Sequence, residues 1–194
     1  MNTSDIMIDL ETLSTQPNAI ILVISAIRFD IGKNIPTNIG TLNIKDTKMD
    51  YFYKRIDIQS CKDIGAISDT QCVEWWNNQD TAISHEAIHR KKRIPIKKAL
   101  RKLTQWIKKY DNDPCVWTNG TSFDIPILKN AYQMSNLDIP WKFWNERDVR
   151  TVLYLGNTSI NNTSNVKKHH ALYDCWRQII ALQKAIQNMN LTVV

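Results

Sequence analysis

The chain reads as an α/β layered domain, and three observations carry that reading. Its N-terminal part holds apolar, β-branched runs bounded by turn residues, the mark of strands. Later segments carry helical periodicity instead, most clearly from Ile96 to Tyr110 and from Ala171 to Met189. No internal repeat and no linker divides the 194 residues, so a single domain over 1–194 with a sizeable core is expected. Strands first, with helices around them, bury their apolar sides as layers about one core.

The elements follow in order. Asp5 to Glu11 is predicted to be a buried strand, and Thr12 to Asn18, containing Pro17, a loop. Ala19 to Phe29 reads as a long second strand, Asp30-Ile31-Gly32-Lys33-Asn34 as a turn, and Tyr51 to Ile58 as a third strand. These three form an antiparallel meander. Ser68-Asp69-Thr70 can cap a helix carrying Val73, Trp75 and Trp76. The two tryptophans are adjacent, so at most one is expected to be deeply buried. A short helix is expected over Ser84 to His89, where His85 and His89 read as surface residues. Pro95 opens the clearest helix, with a stripe of Ile96, Ala99, Leu100, Leu103, Ile107 and Tyr110. Pro114 to Thr118 is a short strand. A helix starts at Asp124 and runs to Met134, and another covers Arg147 to Leu155. Residues 156–168 are rich in Asn, Thr and Ser and read as a surface loop. The last helix, from about Ala171 to Met189, carries Leu172, Cys175, Ile179, Leu182 and Ile186.

Composition narrows the function. A hydrophobic fraction of 43% and a charged fraction of 23% are those of an ordinary soluble domain. No apolar run approaches the roughly 18 residues that span a bilayer, so no membrane association is expected. Met1 to Asp5 lacks the regions of a signal peptide, which points to the cytoplasm, the host's if the chain is viral. Cys61, Cys72, Cys115 and Cys175 are scattered without a C-x-x-C pair, so reduced thiols are expected and a zinc site is not. The net charge of +6 favours polyanions, because neutralised phosphates release counterions. Arg90-Lys91-Lys92-Arg93 and the helix after it are either a solvated face or a track for a phosphate backbone.

One feature carries chemistry. Asp9 and Glu11 stand two residues apart in the apolar run Ile6-Met7-Ile8-Asp9-Leu10-Glu11, so their side chains project to the same side of the strand. Like charges gathered in an apolar setting need a neutralising partner. Either they mark the wet end of the strand or they hold a hard cation through carboxylate oxygen.

Farther along stand Asn119-Gly120-Thr121-Ser122-Phe123-Asp124 and His169-His170-Ala171-Leu172-Tyr173-Asp174. With Asp9-Leu10-Glu11-Thr12-Leu13, Pro17-Asn18-Ala19 and Pro140-Trp141 through Arg147-Asp148-Val149-Arg150-Thr151, the order and spacing resemble the DEDDh 3′-to-5′ exonucleases, in their RNase T-like, phage exonuclease VIII-type branch. The resemblance runs from about Asp5 to about Ile186. It implies an RNase H-like fold, a mixed five-stranded sheet flanked by helices. It implies that Asp9, Glu11 and Asp174 hold one divalent ion, Mg²⁺ or Mn²⁺. Asp9 would bridge to a second ion, which Asp124 supports through waters; the two ions clamp the attacking and leaving oxygens. The histidine of this pattern lies five residues before the last acid, which selects His169 as general base. His170 takes the place where a related group has tyrosine, and is expected to be packed or solvent-facing. Thr12, Leu13, Asn119, Ser122 and Phe123 are implied as contacts to the 3′-terminal nucleotide. Phe123 serves equally well as a stacking platform or as core. Trp141, Phe143 and Trp144 either pack or line the strand path.

The activity implied is 3′-to-5′ hydrolysis of single-stranded nucleic acid with a free 3′ end, releasing nucleoside 5′-monophosphates. DNA is favoured over RNA, and a homodimer is expected from the resemblance. The alternatives are an exoribonuclease trimming RNA 3′ ends and a catalytically silent nucleic-acid-binding module of the same fold.

Overall fold

A computed structural model describes residues 5–33, 35, 49–110, 113–162 and 169–190. Three antiparallel strands come first: β1 (Asp5–Thr12), β2 (Ile21–Phe29) and β3 (Tyr51–Arg55). Helices α1 (Ile58–Lys62), α2 (Thr70–Asn77), α3 (Thr81–Ser84) and α4 (Ile96–Ile107) follow, with a turn of π-helix over His85–His89. Strand β4 (Cys115–Thr118) pairs parallel to β1 and leads into α5 (Asp124–Met134). Strand β5 (Glu146–Asp148) pairs parallel to β4, and α6 (Val149–Leu155) and α7 (Ala171–Asn188) close the chain. The sheet order is β3-β2-β1-β4-β5, a mixed five-stranded sheet flanked by helices.

The strand period of two sorts the core into two layers. Ile6, Ile8 and Leu10 point to one face and pack with Ile96, Ala99, Leu100, Leu103 and Ile107 of α4 and with Ile127 and Leu128 of α5. Met7 and Trp117 point to the other and pack with Val149 of α6 and with Leu172, Cys175, Trp176, Ile179 and Leu182 of α7. Asp9 and Glu11 share the parity of Met7, so they point toward α7. The β1–β2 register slips between Glu11 and Thr12. Such an irregularity re-aims side chains at the end of a strand.

Four of the boundary differences from the sequence reading have a visible cause. β2 begins at Ile21, because Ala19 makes an isolated bridge to Ile67. β3 stops at Arg55, because the Asp57 carboxylate accepts the Ser60 N–H at 2.9 Å and starts α1, which had no periodic signal. Arg147 and Asp148 belong to β5 rather than to a helix; the Asp148 side chain accepts the Arg150 and Thr151 N–H groups and so starts α6 one residue later. Tyr110 lies past the end of α4 and is 62% exposed, covered on one side by the Arg28 guanidinium. The expected turn is held by the Lys33 N–H donating to the Asp30 carbonyl at 3.1 Å, with Asn34 outside the described residues. Of the expected 156–168 loop, residues 160–162 form a turn of 3-10 helix and 163–168 lie outside the described residues. The four cysteines are free thiols. Among the described residues no helix is long and apolar enough to cross a membrane.

Candidate active site

Three segments distant in sequence bring their acids together at the C-terminal end of β1. Carboxylate oxygens of Asp9, Glu11 and Asp174 lie within 4.8 Å of one another. β1 and β4 pair only as far as Met7 and Trp117. Beyond that point the Leu10 N–H donates instead to Asp124 Oδ1 at 3.1 Å, which draws the first residue of α5 to the same strand end. Asp174 sits in the first turn of α7, where negative charge is favoured. Its Oδ1 accepts from Arg177 at 2.9 Å and its Oδ2 from the His170 N–H at 3.1 Å. Asp9 Oδ1 accepts from Gln178 Nε2 at 2.8 Å.

The electrostatics of this cluster are those of a site built for a cation. Burial pushes the Asp9 carboxyl well above the usual range, and Asp124, Asp174 and Glu11 push it further against the Gln178 hydrogen bond. Glu11 is raised by burial, then by Asp174 and Asp124, with only the Ala171 N–H opposing. Burial takes Asp124 up to about 7, although the Leu10 N–H, its own N–H and Arg150 oppose it. Asp174 is raised by burial and held down by Arg177 and His169. Glu11 Oε1 is buried with no hydrogen-bond partner. Hard oxygen donors, crowded like charges and an orphaned carboxylate oxygen fit a divalent cation such as Mg²⁺.

The adjacent histidines separate. His169 has φ +62°, a left-handed conformation costly for a residue with a Cβ, and its ring lies edge-on to Trp75 at 4.8 Å. It lines the same cleft as the acids. His170 turns away, stacking on Tyr53 at 5.3 Å and meeting the edge of Tyr173 at 4.8 Å. Glu86, from the π-helical turn, receives the Tyr53 hydroxyl at 2.9 Å and pairs with Arg55, and its Oε1 lies 4.0 Å from His170 Nε2. This polar layer fixes the residue before α7.

The cleft measures about 1040 Å³. Thr12, Asn119 and Phe123 line it. Phe123 also packs against the core, as its second reading has it. Leu13 is 8% exposed within the core, Ser122 is exposed, and neither lines the cleft. Arg150, Arg177 and Gln178 do line it, and the sequence reading gave none of them a place there; Trp75 lines it too, a groove position the sequence reading left open for one of the two tryptophans. Gln178 had a signal, since it lies four residues after Asp174 on one helix face. Arg150 had none; its guanidinium lies over Gly120, whose φ is +112° and where a Cβ would come within 3.0 Å of Arg150 Cζ. Trp76 is buried and donates to the Thr12 carbonyl at 2.8 Å, while Trp75 is 41% exposed. Trp141 is buried, whereas Phe143 and Trp144 are exposed.

This chain is a domain of the 3′-to-5′ exonuclease class. Within it, the chain belongs to the family of 3′-5′ exoribonuclease Rv2179c-like domains, which matches residues 4–186. An exodeoxyribonuclease of Enterobacteria phage T4 is 24% identical over 208 residues, covering 94% of this chain and 89% of the phage protein. Among solved structures, the zinc-bound complex of Escherichia coli ExoI with single-stranded DNA aligns with a TM-score of 0.63 at 15% identity. That alignment covers 97% of this chain but only 41% of ExoI. The nuclease domain of 3′hExo, a DEDDh family member bound to rAMP, aligns with a TM-score of 0.55 at 16% identity, covering 96% of this chain and 93% of that one. At these identities the structural likeness is one of fold.

Proposed function

We propose that the cleft is the active site of a metal-dependent 3′-to-5′ exonuclease that hydrolyses single-stranded DNA to nucleoside 5′-monophosphates. The observation that carries this is the convergence of Asp9, Glu11 and Asp174 within 4.8 Å in a cleft that His169 also lines. Asp9, Glu11 and Asp174 would hold a divalent cation, with Asp124 supporting a second; the ions are Mg²⁺ or Mn²⁺. Such cations supply Lewis-acid stabilisation of the charge that develops on the phosphoryl oxygens.

The chain's own residues do the rest. His169 takes the proton of the attacking water; an imidazole is suited to this at neutral pH. Trp75 holds the His169 ring edge-on, and Gln178 and Arg177 orient Asp9 and Asp174. Thr12, Asn119 and Phe123 contact the terminal nucleotide, with Phe123 offering a stacking face.

A second reading, hydrolysis of RNA, is favoured by the family's description as an exoribonuclease. The near full-length likeness to a phage exodeoxyribonuclease favours DNA. The test is digestion of matched 5′-labelled single-stranded DNA and RNA with Mg²⁺ or Mn²⁺, beside an Asp9→Ala control. A ladder shortening from the 3′ end, lost in EDTA and in the variant, is expected, and the faster substrate decides the sugar. No cleavage of either strand by the folded, metal-supplied protein would leave a silent binding module.

A further inference from the structure

The positive charge of this chain is concentrated in one place. Between Glu86 and Asp111 there is no acid, and ten of the 25 Lys and Arg residues fall there, from Arg90 to Lys109. The remaining 15 cations face 19 acids, so the rest of the chain carries −4 while this segment carries +10. Ordinary solubility charge mixes the two signs; this segment does not.

Two of the ten have structural tasks. Arg93 donates to the Ile56 carbonyl at 2.9 Å, the Leu22 carbonyl at 3.3 Å and the Ala87 carbonyl. Arg90 pairs with Glu86 at 3.1 Å. The other eight are exposed, and among the described residues none of them forms an ion pair. Lys97, Lys98, Arg101, Lys102, Lys108 and Lys109 occupy α4 and the residues just after it, while the inner stripe of α4 is fully buried. Lys97 and Arg101, and Lys98 and Lys102, are like charges at i,i+4, a spacing that weakens a helix by a few tenths of a kcal/mol per pair. A helix selected only for stability would place acids among them, and α4 has none.

This face is separate from the cleft. None of the eight cations lines it. α4 packs on the sheet face opposite to α7, toward which Asp9 and Glu11 point.

We propose that the outer face of α4, with the Lys91–Lys92 turn beside it, is a second nucleic-acid site that holds the phosphate backbone of the substrate away from its 3′ end. From Lys97 to Lys108 the helix extends about 16 Å at 1.5 Å per residue. One strand at duplex spacing presents a charge about every 3.4 Å, so such a stretch faces about five phosphates. The occupant is a nucleic acid because the reaction proposed for the cleft brings that polyanion to the protein. The choice of occupant and the role in holding substrate rest on that reading; the binding measurement tests the occupant without it.

The test compares two variants of equal charge change. One carries Lys97→Gln, Lys98→Gln, Arg101→Gln and Lys102→Gln, which keep good helix formers at exposed positions. The other carries Lys33→Gln, Lys62→Gln, Lys142→Gln and Lys184→Gln, exposed cations elsewhere. Binding of a single strand of about 30 nucleotides is measured in EDTA across a salt series, and hydrolysis of a pentanucleotide is measured with Mg²⁺. The α4 variant is expected to bind the long strand at least about tenfold more weakly at low salt. Its log–log salt slope falls by about 3, at about 0.7 per lost contact. Its pentanucleotide hydrolysis stays within about twofold of the parent, and the control variant changes little. Equal losses in both variants, or no loss in the α4 variant, would overturn the proposal. Equal competition by polyglutamate of matched charge would also overturn it, by removing nucleic acid as the occupant. Absence of hydrolysis with the binding pattern intact would sink the exonuclease reading alone.

Discussion

Replacing Asp124 by Asn should stabilise the metal-free protein at neutral pH while disabling it. The Asp124 carboxyl is 4% exposed and its Oδ1 accepts the Leu10 N–H, a bond the Asn side-chain oxygen can keep. Burial raises it from 3.8 to about 7. Between those values the folded chain holds a proton that the unfolded chain has released. Stability therefore falls as pH rises through the window and the loss is complete above about 7. At about 1.36 kcal/mol per pKa unit, the folded state gives up about 4 kcal/mol by pH 8. Asn carries no such penalty, and its presence also relieves Asp9 and Glu11, both of which Asp124 pushes up. Urea melts in EDTA from pH 5 to 8 measure the difference. The Asp124→Asn variant should gain on the parent steadily as pH rises, reaching a few kcal/mol, or about 8–16 °C in Tm for a chain of this size. Added Mg²⁺ should reverse the order, stabilising the parent far more than the variant. A variant less stable than the parent at pH 8 in EDTA, or a gap independent of pH, would refute the account of the cluster as a desolvated cation site.

Three further predictions follow from neighbouring features. His169→Ala should lower kcat by about 10²–10⁴-fold with little change in KM, as removal of a general base does; single-turnover hydrolysis checks it, and a loss in KM alone would move the histidine to substrate binding. Gln178→Leu removes the donor to Asp9 Oδ1 and should weaken Mg²⁺ binding by about 10–100-fold, read by calorimetry, while the fold survives. Gly156→Ala should destabilise by about 1–3 kcal/mol, because its Cβ would stand 2.6 Å from Ala185 Cβ and from the Ala185 carbonyl, where α6 meets α7; an unchanged denaturation midpoint would show that the two helices can part there.

The parts of this fold that sequence displays are those with period. β1, β2, α4 and α7 carry long apolar runs or stripes, and each lies where its pattern puts it, with ends shifted by up to three residues. β5 is three residues, Glu146, Arg147 and Asp148, with no apolar member, so no pattern could mark it as a strand; it pairs because β4 offers a free edge beside it. α1 is five residues long and owes its place to the Asp57 cap. Within the cleft, the acids were legible because burying charge is conspicuous. Arg150 and Arg177 were not, since an arginine on a helix looks the same beside a cleft as on any surface. Leu13 shows the opposite limit: its place next to Thr12 in sequence does not bring it to the wall, because β1 has ended at Thr12 and Leu13 packs into the core.

The cluster draws on β1, on the start of α5 and on α7, so its components are the first and the last described elements of the chain. The β1–β2–β3 meander is local and can form early, whereas its face toward α7 stays uncovered until residues 169–178 are in place. During synthesis from the N-terminus the acids at positions 9 and 11 exist long before their partners at 174, 177 and 178. On the proposed reading, cation affinity and phosphodiesterase chemistry therefore depend on the docking of α7. Ion uptake during refolding is then expected to coincide with that docking.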